Sequence, residues 1–169
     1  MKPVVGRKRK PKTTMEVTRK KSILLAEDDA DMRDILRFWL EGEGFSVTAV
    51  ENGWQAIEEA RRAAPDVIIL DLLMPGVDGY QACRYLRHDA HLFHLPVILF
   101  SAVFIDEEEK RFGFEVGADA FVVKTSGFNT LLIEVKRLIA SARQCERRPV
   151  PENEAALVRT EIEAAAARL

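Results

Sequence analysis

The chain has 169 residues, which is enough for one domain of common size with short appendages. Apolar residues make up 47% and charged residues 31%, which excludes a fibrous or wholly disordered chain and favours a packed core. The two cysteines, Cys83 and Cys145, lie far apart without metal-ligand spacing, and no apolar run approaches the roughly 20 residues that cross a bilayer. We therefore expect a cytoplasmic protein with neither a disulfide framework nor a membrane span.

Residues 1–21 form a basic arm that differs in composition from the rest of the chain. The arm contains nine Lys or Arg and one Glu, whereas the remaining residues contain 16 basic and 26 acidic side chains. Its few apolar residues cannot offset the entropy of ordering, so we predict that it is disordered. The charge suits phosphates or an acidic partner, but no aromatic residue stands among the basic ones to stack on bases. A solvated tail is the simpler interpretation, and weak nucleic-acid contact is the alternative.

From Ser22 onward, short apolar runs alternate with segments of helical periodicity. A strand at 23–26 precedes a helix with Asp31 as its expected N-cap, and Gly42 and Gly44 end that helix. The later elements in chain order are a strand at 45–50, a turn at 52–53, a helix at 54–63, a strand at 67–70, a helix from about 79 to 87, a strand at 97–100, a helix at 106–116, a strand at 120–123 and a helix from about 129 to 142. This alternation predicts an α/β fold: one five-stranded parallel sheet, doubly wound with helices on both faces.

Polar side chains follow four of the five predicted strands. Asp71 comes directly after Val67-Ile68-Ile69-Leu70, four apolar residues that indicate a strand buried on both faces. The other three strand ends carry Glu27 with Asp28, Ser101, and Lys124. Because the carboxyl ends of parallel strands meet at one edge of a sheet, where open α/β sheets place their ligand sites, we expect these side chains to converge.

Such a convergence has a defined chemistry. Three carboxylates repel one another and require cations, of which Lys124 supplies one and a hard divalent ion with oxygen ligands, above all Mg2+, would supply another. Asp71 could then attack an activated phosphorus and form an acyl phosphate. The Ser101 hydroxyl and the Lys124 ammonium could stabilise the phosphoryl oxygens during the transfer. The residues therefore predict phosphoryl transfer to Asp71.

The order and spacing of these motifs resemble the receiver domain of two-component response regulators. The matching segments are Leu25-Ala26-Glu27-Asp28-Asp29, Asp71-Leu72-Leu73-Met74-Pro75 with Asp78-Gly79, Ser101-Ala102, and Gly117-Ala118-Asp119-Ala120-Phe121-Val122-Val123-Lys124. The resemblance covers residues 22–143 and implies a flavodoxin-like sheet with strand order 2-1-3-4-5. It also implies that Asp71 accepts phosphate from a sensor histidine kinase or a histidine phosphotransfer protein, without an enzymatic activity beyond its own phosphorylation and dephosphorylation.

The resemblance further implies a role for each matched residue. Glu27, Asp28, Asp71 and the backbone carbonyl of Leu73 would hold Mg2+ or Mn2+. Ser101 would move to bond the phosphoryl group, Lys124 would pair with that group, and Phe121 would be the switch aromatic that swings inward when Ser101 shifts. A downstream protein would then bind the surface formed by the fourth helix, the fifth strand and the fifth helix, and a homodimer is a further possibility.

Three positions depart from the family pattern. Thr125 follows Lys124 where the family usually has proline, commonly in a cis bond. Because a non-proline cis bond costs roughly 2.5 to 4 kcal/mol, we expect a trans peptide and a differently shaped loop. Leu73 and Val103 are apolar at positions that often help to orient the hydrolytic water, so we expect a phosphoryl group that is lost slowly. Phe121 lacks the hydroxyl that a tyrosine would offer at the switch position.

Two other functions compete with this interpretation. An aspartyl-phosphate phosphatase would usually need a second aspartate two residues after the nucleophile, and Leu73 occupies that place. A receiver-like protein that only binds partners is disfavoured by the complete set of site residues. His88, His91 and His94 recur every third residue, but without acidic partners in sequence they indicate a surface loop rather than a metal site.

The carboxyl-terminal part of the chain follows a predicted linker at 144–151. Residues 152–169 then predict a helix with an apolar stripe formed by Ala155, Val158, Ile162, Ala165 and Leu169. The stripe covers only about two heptads, which is marginal for an isolated helix. Three roles are open: pairing with a second chain as a coiled coil, packing on the domain, or opening a signalling helix. The chain as a whole is either a stand-alone receiver or the amino-terminal receiver of a larger kinase or output protein.

Overall fold

Strands and helices alternate through the residues that the computed structural model describes, 19–102, 107–141 and 151–168. The strands are β1 (Ser22–Ala26), β2 (Ser46–Val50), β3 (Val67–Asp71), β4 (Val97–Ser101) and β5 (Ala120–Val123). The helices are α1 (Ala30–Gly42), α2 (Gly53–Ala63), α3 (Gly79–His88), α4 (Glu107–Glu115), α5 (Phe128–Ser141) and α6 (Glu152–Ala166), and a 3-10 turn, Lys124–Ser126, follows β5. The predicted succession of elements is therefore confirmed.

The five strands form one parallel sheet in the order β2-β1-β3-β4-β5. This is the predicted 2-1-3-4-5 order. The pairing register sets Ala26 beside Leu70, Asp71 beside Phe100, and Ser101 beside Val123. The carboxyl ends of β1, β3, β4 and β5 thus lie nearly level at one edge of the sheet, and the residues that follow these strands are brought together there.

Alternation along the strands divides the apolar core into two layers. Leu24, Ile68 and Leu99 pack with α2 and α3 on one face, and Ile23, Ile69 and Phe100 pack with α1 and α5 on the other. Successive side chains of a strand point to opposite faces, so a strand of apolar residues serves both layers at once. Full burial of one such aliphatic side chain stabilises the fold by roughly 1.5–3 kcal/mol. The sheet is thereby held rigidly beneath the site.

The amino-terminal ends of three helices are fixed by side-chain caps. Asp29, not the predicted Asp31, caps α1, because its extended backbone lets the carboxylate accept the Met32 N–H, whereas Asp31 lies inside the first turn. Asn52 accepts the Gln55 N–H, so the predicted turn at 52–53 is the start of α2. A reciprocal capping box between Asp78 and Gln81 starts α3. The caps of α1 and α2 place the starts of these two helices one or two residues earlier than the apolar periodicity alone predicts, whereas α3 starts at the predicted position.

Helix α6 packs on the domain, one of the three roles left open by the sequence. Its buried residues are Ala155, Val158 and Ile162, which belong to the predicted apolar stripe. Val158 and Ile162 join the core layer that contains α2 and α3. An isolated helix of this length would be marginal in water, so the contact with α3 accounts for its stability.

Several expectations concern residues outside the described ranges. Residues 1–18 of the basic arm, most of the predicted linker at 144–151, Cys145 and Val103 all lie there. Among the described helices, none combines the length and the apolar composition needed to cross a membrane. Cys83 of α3 is buried in the core layer that contains α2 and α3, where its thiol lies 3.7 Å from the Val116 carbonyl oxygen.

Candidate functional site

The ends of three strands bring two carboxylates and an ammonium group into direct contact. Lys124 Nζ lies 2.6 Å from Glu27 Oε2 and 3.0 Å from Asp71 Oδ1. Glu27, Asp71 and the Lys124 side chain are largely buried, whereas the neighbouring Asp28 is exposed. The predicted convergence of these four side chains is thus present at one edge of the sheet.

Burial and charge shift the protonation of this cluster in a consistent way. Burial raises the pKa of Glu27 and of Asp71, and the hydrogen bond from Lys124 only partly offsets that rise in each case. Burial acts to lower the pKa of Lys124, but its bonds to Glu27 and Asp71 outweigh this effect and raise the pKa. The lysine therefore stays charged, and the carboxylates are held in surroundings that disfavour their ionised forms.

The acidic cluster is suited to a divalent cation. Glu27, Asp28 and Asp71 each offer a carboxylate oxygen, and these atoms lie within 4.8 Å of one another. Hard cations such as Mg2+ are bound by carboxylate and carbonyl oxygens together with water. Asp28 faces solvent beside the two buried carboxylates, which leaves a side of the cluster open to a hydrated ion. The donor set could therefore hold such an ion.

The mouth of the site combines acidic and apolar side chains. A cleft of about 420 Å³ is lined by residues of the β1–α1 loop, α1 and the ends of β3, β4 and β5 (Glu27, Asp28, Asp29, Asp31, Met32, Ile35, Asp71, Leu73, Ala102, Lys124). Leu73 is 66% exposed and Ile35 is 52% exposed, so apolar groups stand at the rim. Glu27 and Asp71 are the buried acids of the cleft, so a group that reacts with them would have to pass the exposed side chains around them.

Two further residues position this cluster: Arg33, which the sequence did not single out, and Gly79, which belongs to a matched motif but was given no role. Arg33 donates hydrogen bonds to the backbone carbonyls of Glu27, at 2.8 Å, and Asp28, at 3.2 Å, and so fixes the acidic loop. Gly79 starts α3 so close to β3 that a Cβ there would lie 2.2 Å from the carbonyl oxygen of Asp71. An arginine in a polar helix carries no distinguishing pattern, but the Asp78-Gly79 pair after a strand was a usable signal for close backbone approach.

Comparison with known proteins identifies the family. The family model for the response regulator receiver domain matches residues 23–136, more than half of the chain. The chain belongs to the response regulator receiver family. The match spans all five strands and every residue of the acidic cluster.

Curated relatives of this receiver agree with the assignment. The transcriptional regulatory protein ResD of Bacillus subtilis is 37% identical over 131 residues, which cover 77% of this chain and 52% of the relative. The DNA-binding response regulator MtrA of Mycobacterium tuberculosis is 34% identical over 131 residues, covering 78% of this chain and 53% of the relative. The chain thus spans about half the length of these relatives.

Solved structures also resemble this receiver. The signal receiver domain of a histidine kinase from Syntrophus aciditrophicus is 34% identical, with a TM-score of 0.67 and coverage of 77% of this chain and 98% of that one. The BeF3-activated receiver domain of RstA from Klebsiella pneumoniae is 26% identical, with a TM-score of 0.65 and coverage of 70% and 98%. The match to the family model leaves residues 1–22 and 137–169 outside it.

The two expected switch residues of the receiver lie near the cluster but differ in setting. Ser101 ends β4, is buried, and pairs in register with Val123 directly before Lys124. Phe121 on β5 is half-buried and faces α4, where a Cβ on Gly113 would lie 3.2 Å from its ring. The structure therefore places Ser101 at the end of β4 and Phe121 against α4.

The loop after Lys124 has the trans geometry expected for the receiver's Thr125. No cis peptide bond occurs among the described residues. The chain instead forms the 3-10 turn Lys124–Ser126, in which Ser126 Oγ donates to the Val123 carbonyl at 2.6 Å. Gly127 follows with a φ of 87°, a conformation that glycine adopts without strain. Lys124 thus reaches the acidic cluster from a loop whose peptide bonds are trans.

The three regularly spaced histidines lie away from this site. His88 ends α3 with Nδ1 2.7 Å from the Arg84 carbonyl oxygen, and His91 and His94 are exposed in the following connection. Among the described residues, the group suited to metal is the acidic cluster, and it includes none of the three. The predicted surface position of His91 and His94 is confirmed, whereas His88 is half-buried beside α6.

Proposed function

We propose that the chain is a phosphorylation-dependent switch in which Asp71 accepts a phosphoryl group from a phosphohistidine. The donor is a sensor histidine kinase or a histidine phosphotransfer protein. The observation that supports the proposal best is the contact of Lys124 with Asp71 and Glu27 at a strand edge, within a chain of the receiver family. An acceptor carboxylate, an acidic pair and a cation in this arrangement meet the needs of phosphoryl transfer.

In the proposed reaction, an Asp71 carboxylate oxygen attacks the phosphorus of the phosphohistidine. A P–O bond forms, the P–N bond breaks, and its electron pair passes to the imidazole nitrogen. Lys124 is already within ion-pair distance of Asp71 and would follow the charge onto the phosphoryl oxygens. The Ser101 hydroxyl at the end of β4 would bond the transferred group. The later loss of phosphate is hydrolysis at the same carboxyl group, so no further enzymatic activity is proposed.

A divalent ion completes this proposal. Glu27, Asp28, Asp71 and the backbone carbonyl of Leu73 would hold Mg2+, or Mn2+, through the oxygen atoms that such ions prefer. The bound ion would neutralise part of the negative charge on the phosphoryl group. Asp28 is the exposed member of the cluster and the best placed to share the ion with solvent.

Ser101 and Phe121 are the proposed route from the site to a partner. A shift of Ser101 toward the phosphoryl group would free space at the end of β4 into which Phe121 could turn from its place beside α4. On the surface of α4, β5 and α5, the exposed Ile133 of α5 is an apolar group that suits a protein partner, and Phe112 and Phe114 add exposed apolar area on the side of α4 toward α3. A downstream protein is the proposed partner there, and a second copy of the chain is an alternative occupant. Nucleic acid is proposed at most through the basic arm.

The apolar residue after the acceptor weighs against a phosphatase. Leu73, two positions after Asp71, is exposed at the rim and has no acidic group with which to protonate a leaving alcohol. The relatives' names describe transcriptional regulation and DNA binding, and this chain matches about half of each relative. We therefore propose a receiver, as a stand-alone switch or as the amino-terminal part of a larger regulator, with a receiver domain at 22–143 and α6 as an appended helix.

Acetyl phosphate with Mg2+ provides a direct test of the acceptor. We expect mass spectrometry to detect one labile phosphoryl adduct in the wild type and its complete loss in Asp71→Asn. Asp34→Asn, which alters an exposed carboxylate on α1, is the matched control and should be phosphorylated like the wild type. A wild-type chain without an adduct would refute the proposed function.

A further inference from the structure

Helix α6 is bound to the outer face of α3 by an apolar stripe flanked by ionic contacts. Ala155, Val158 and Ile162 are each no more than 2% exposed along this contact. Around them, Glu161 lies 3.2 Å from Arg84, Glu163 lies 3.4 Å from the Tyr85 hydroxyl, and Glu154 lies 3.7 Å from His88. The face of α3 is therefore a binding surface for an amphipathic helix with acidic flanks, and α6 occupies it.

The contacts show that α6 runs antiparallel to α3. The start of α6 lies beside His88, the last residue of α3, and Glu161 lies beside Arg84, one turn nearer the start of α3. Pro151 precedes α6 without a side-chain cap, and the helix is only 15 residues long. Because isolated helices of about 12–15 residues are marginal in water, α6 forms a stable helix only while it is docked.

The other end of α3 is joined closely to the phosphoacceptor. The Gly79 N–H donates to the Leu72 carbonyl at 3.1 Å, and a Cβ on Gly79 would meet the Asp71 carbonyl oxygen at 2.2 Å. The backbone of α3 thus lies directly against the backbone of Asp71, and the Asp78–Gln81 capping box fixes its first turn. The connection between them, residues 72–78, includes the Leu73 carbonyl proposed to hold the ion.

We propose that docking of α6 on α3 is coupled to occupation of the Asp71 site, so that α6 is a second element that responds to phosphorylation. This inference depends on the proposed function, because it requires Asp71 to carry a phosphoryl group. A phosphoryl group on Asp71 and an ion on the Leu73 carbonyl would further restrain residues 72–78, and with them the start of α3, which lies against the Asp71 backbone. An α3 that is already ordered loses less entropy when α6 docks, and this gives positive cooperativity between the two events.

Amide hydrogen exchange on the full chain tests the coupling. The probe is beryllofluoride with Mg2+, the activating group named for the related receiver domain of RstA. We expect exchange of residues 152–166 to slow by roughly fivefold or more, the lower range of typical coupling between two sites. Asp71→Asn should show no such change, and Mg2+ without beryllofluoride should have a smaller effect.

Reciprocity provides an independent measurement. Val158→Asp places a carboxylate in the buried stripe and should undock α6, whereas Leu157→Asp alters a side chain that is 67% exposed on the same helix. Because coupling between two binding events is mutual, Val158→Asp should weaken beryllofluoride binding by the same factor by which beryllofluoride slows α6 exchange. Leu157→Asp should leave the affinity unchanged.

A swap of charges between α6 and α3 tests the coupling if Val158→Asp fails to fold. Unchanged amide hydrogen exchange in β1 and β3 would show that the sheet is intact in Val158→Asp. Glu161→Arg brings two cations together at exposed positions and should loosen α6, and the added change Arg84→Glu should restore docking. Restored docking with an unrestored beryllofluoride affinity would count against the coupling.

The outcomes separate the two proposals. Protection of residues 72–78 by beryllofluoride together with unchanged exchange in α6 would overturn the coupling and leave Asp71 as the acceptor. Absence of protection at residues 72–78 in the wild type would overturn both, because the site would then not bind a phosphoryl analogue.

Discussion

Asp71 combines reactivity with a cost to stability. Its carboxylate is buried beside Glu27, and Lys124, the cation that lies within ion-pair distance among the residues that the structure describes, is shared between the two carboxylates. Burial raises the pKa of Asp71 despite that cation, so the ionised form needed for attack on phosphorus is disfavoured in the folded protein. The buried Asp71 carboxylate therefore lowers the stability of the fold, and the fold keeps it because the site needs it for function.

The stability of Asp71→Asn should reveal this cost. A carboxyl group whose pKa is raised in the folded state holds its proton longer than in the unfolded chain, so stability falls as pH rises from the ordinary carboxyl value through the raised one. The side-chain amide of Asp71→Asn cannot ionise, so the variant does not lose stability over this pH range. We expect the variant to be more stable at pH 7 by roughly 1 kcal/mol, or about 2–4 °C in Tm, with the difference shrinking toward pH 4. A variant that melts below the wild type at pH 7 would disprove the idea.

The lifetime of the phosphoryl group should depend on Leu73. Its exposed side chain stands at the mouth of the site and cannot bond a water molecule. Leu73→Asn supplies a polar group that can orient the hydrolytic water, so we expect the rate of dephosphorylation to rise by about tenfold. Following the loss of the adduct over time measures this rate. Leu157→Asn on α6 serves as the distant control, and a wild-type half-life of seconds would contradict slow hydrolysis.

At the scale of elements, Asp66 fastens the start of β1 beside that of β3. Its carboxylate accepts bonds from Lys21 Nζ and the Ser22 N–H, both at 2.8 Å. Partial burial acts to raise the pKa of Asp66, but these bonds outweigh that effect and lower it to about 2. The contribution to stability is therefore complete above the ordinary carboxyl pKa and disappears as pH falls toward 2.

Asp66→Asn tests this attachment. We expect the free energy of unfolding at pH 7 to fall by about 1 kcal/mol. This is less than the lowered pKa of Asp66 would imply for an ion pair shielded from solvent, because Lys21 is well exposed. Denaturant unfolding at pH 7 and near pH 2 should show the difference vanishing at the lower pH. Asp34→Asn, in an exposed pair with Arg37, should change little at either value. A loss of stability that is the same at both pH values would indicate that Asp66 acts through packing and not through its charge.

The elements also show what a sequence can and cannot reveal. The apolar runs predicted all five strands, including β3 and β4, which are buried at every position, and the polar residues after them predicted the cluster at Asp71. The sequence predicted Asp31 as the cap of α1, but Asp29 is the cap, because the extended backbone of Asp29 decides and composition does not show it. The packing of α6 depends on the facing surface of α3, and Arg33 acts through backbone carbonyls. Neither relation leaves a pattern in the sequence.

For the molecule as a whole, divalent cations should stabilise the fold. Three carboxylates and one lysine leave the cluster with an excess of negative charge, and an ion that binds only the folded state shifts the unfolding equilibrium. We expect the Tm to rise with Mg2+, by an amount equivalent to about 2.7 kcal/mol at a concentration 100 times the dissociation constant. Asp28→Asn should weaken the effect, and an equal shift from NaCl at matched ionic strength would argue against a site.

The division of the core into two layers has a practical consequence, because each layer contains one of the chain's two tryptophans. Trp39 of α1 packs against Phe128, with ring centroids 5.2 Å apart, in the layer of α1 and α5. Trp54 of α2 meets Tyr85 edge-on at 6.1 Å, in the layer that α6 covers. Trp39→Phe and Trp54→Phe would each leave a single fluorophore. Intrinsic emission could then follow the two faces of the sheet separately, without an added label.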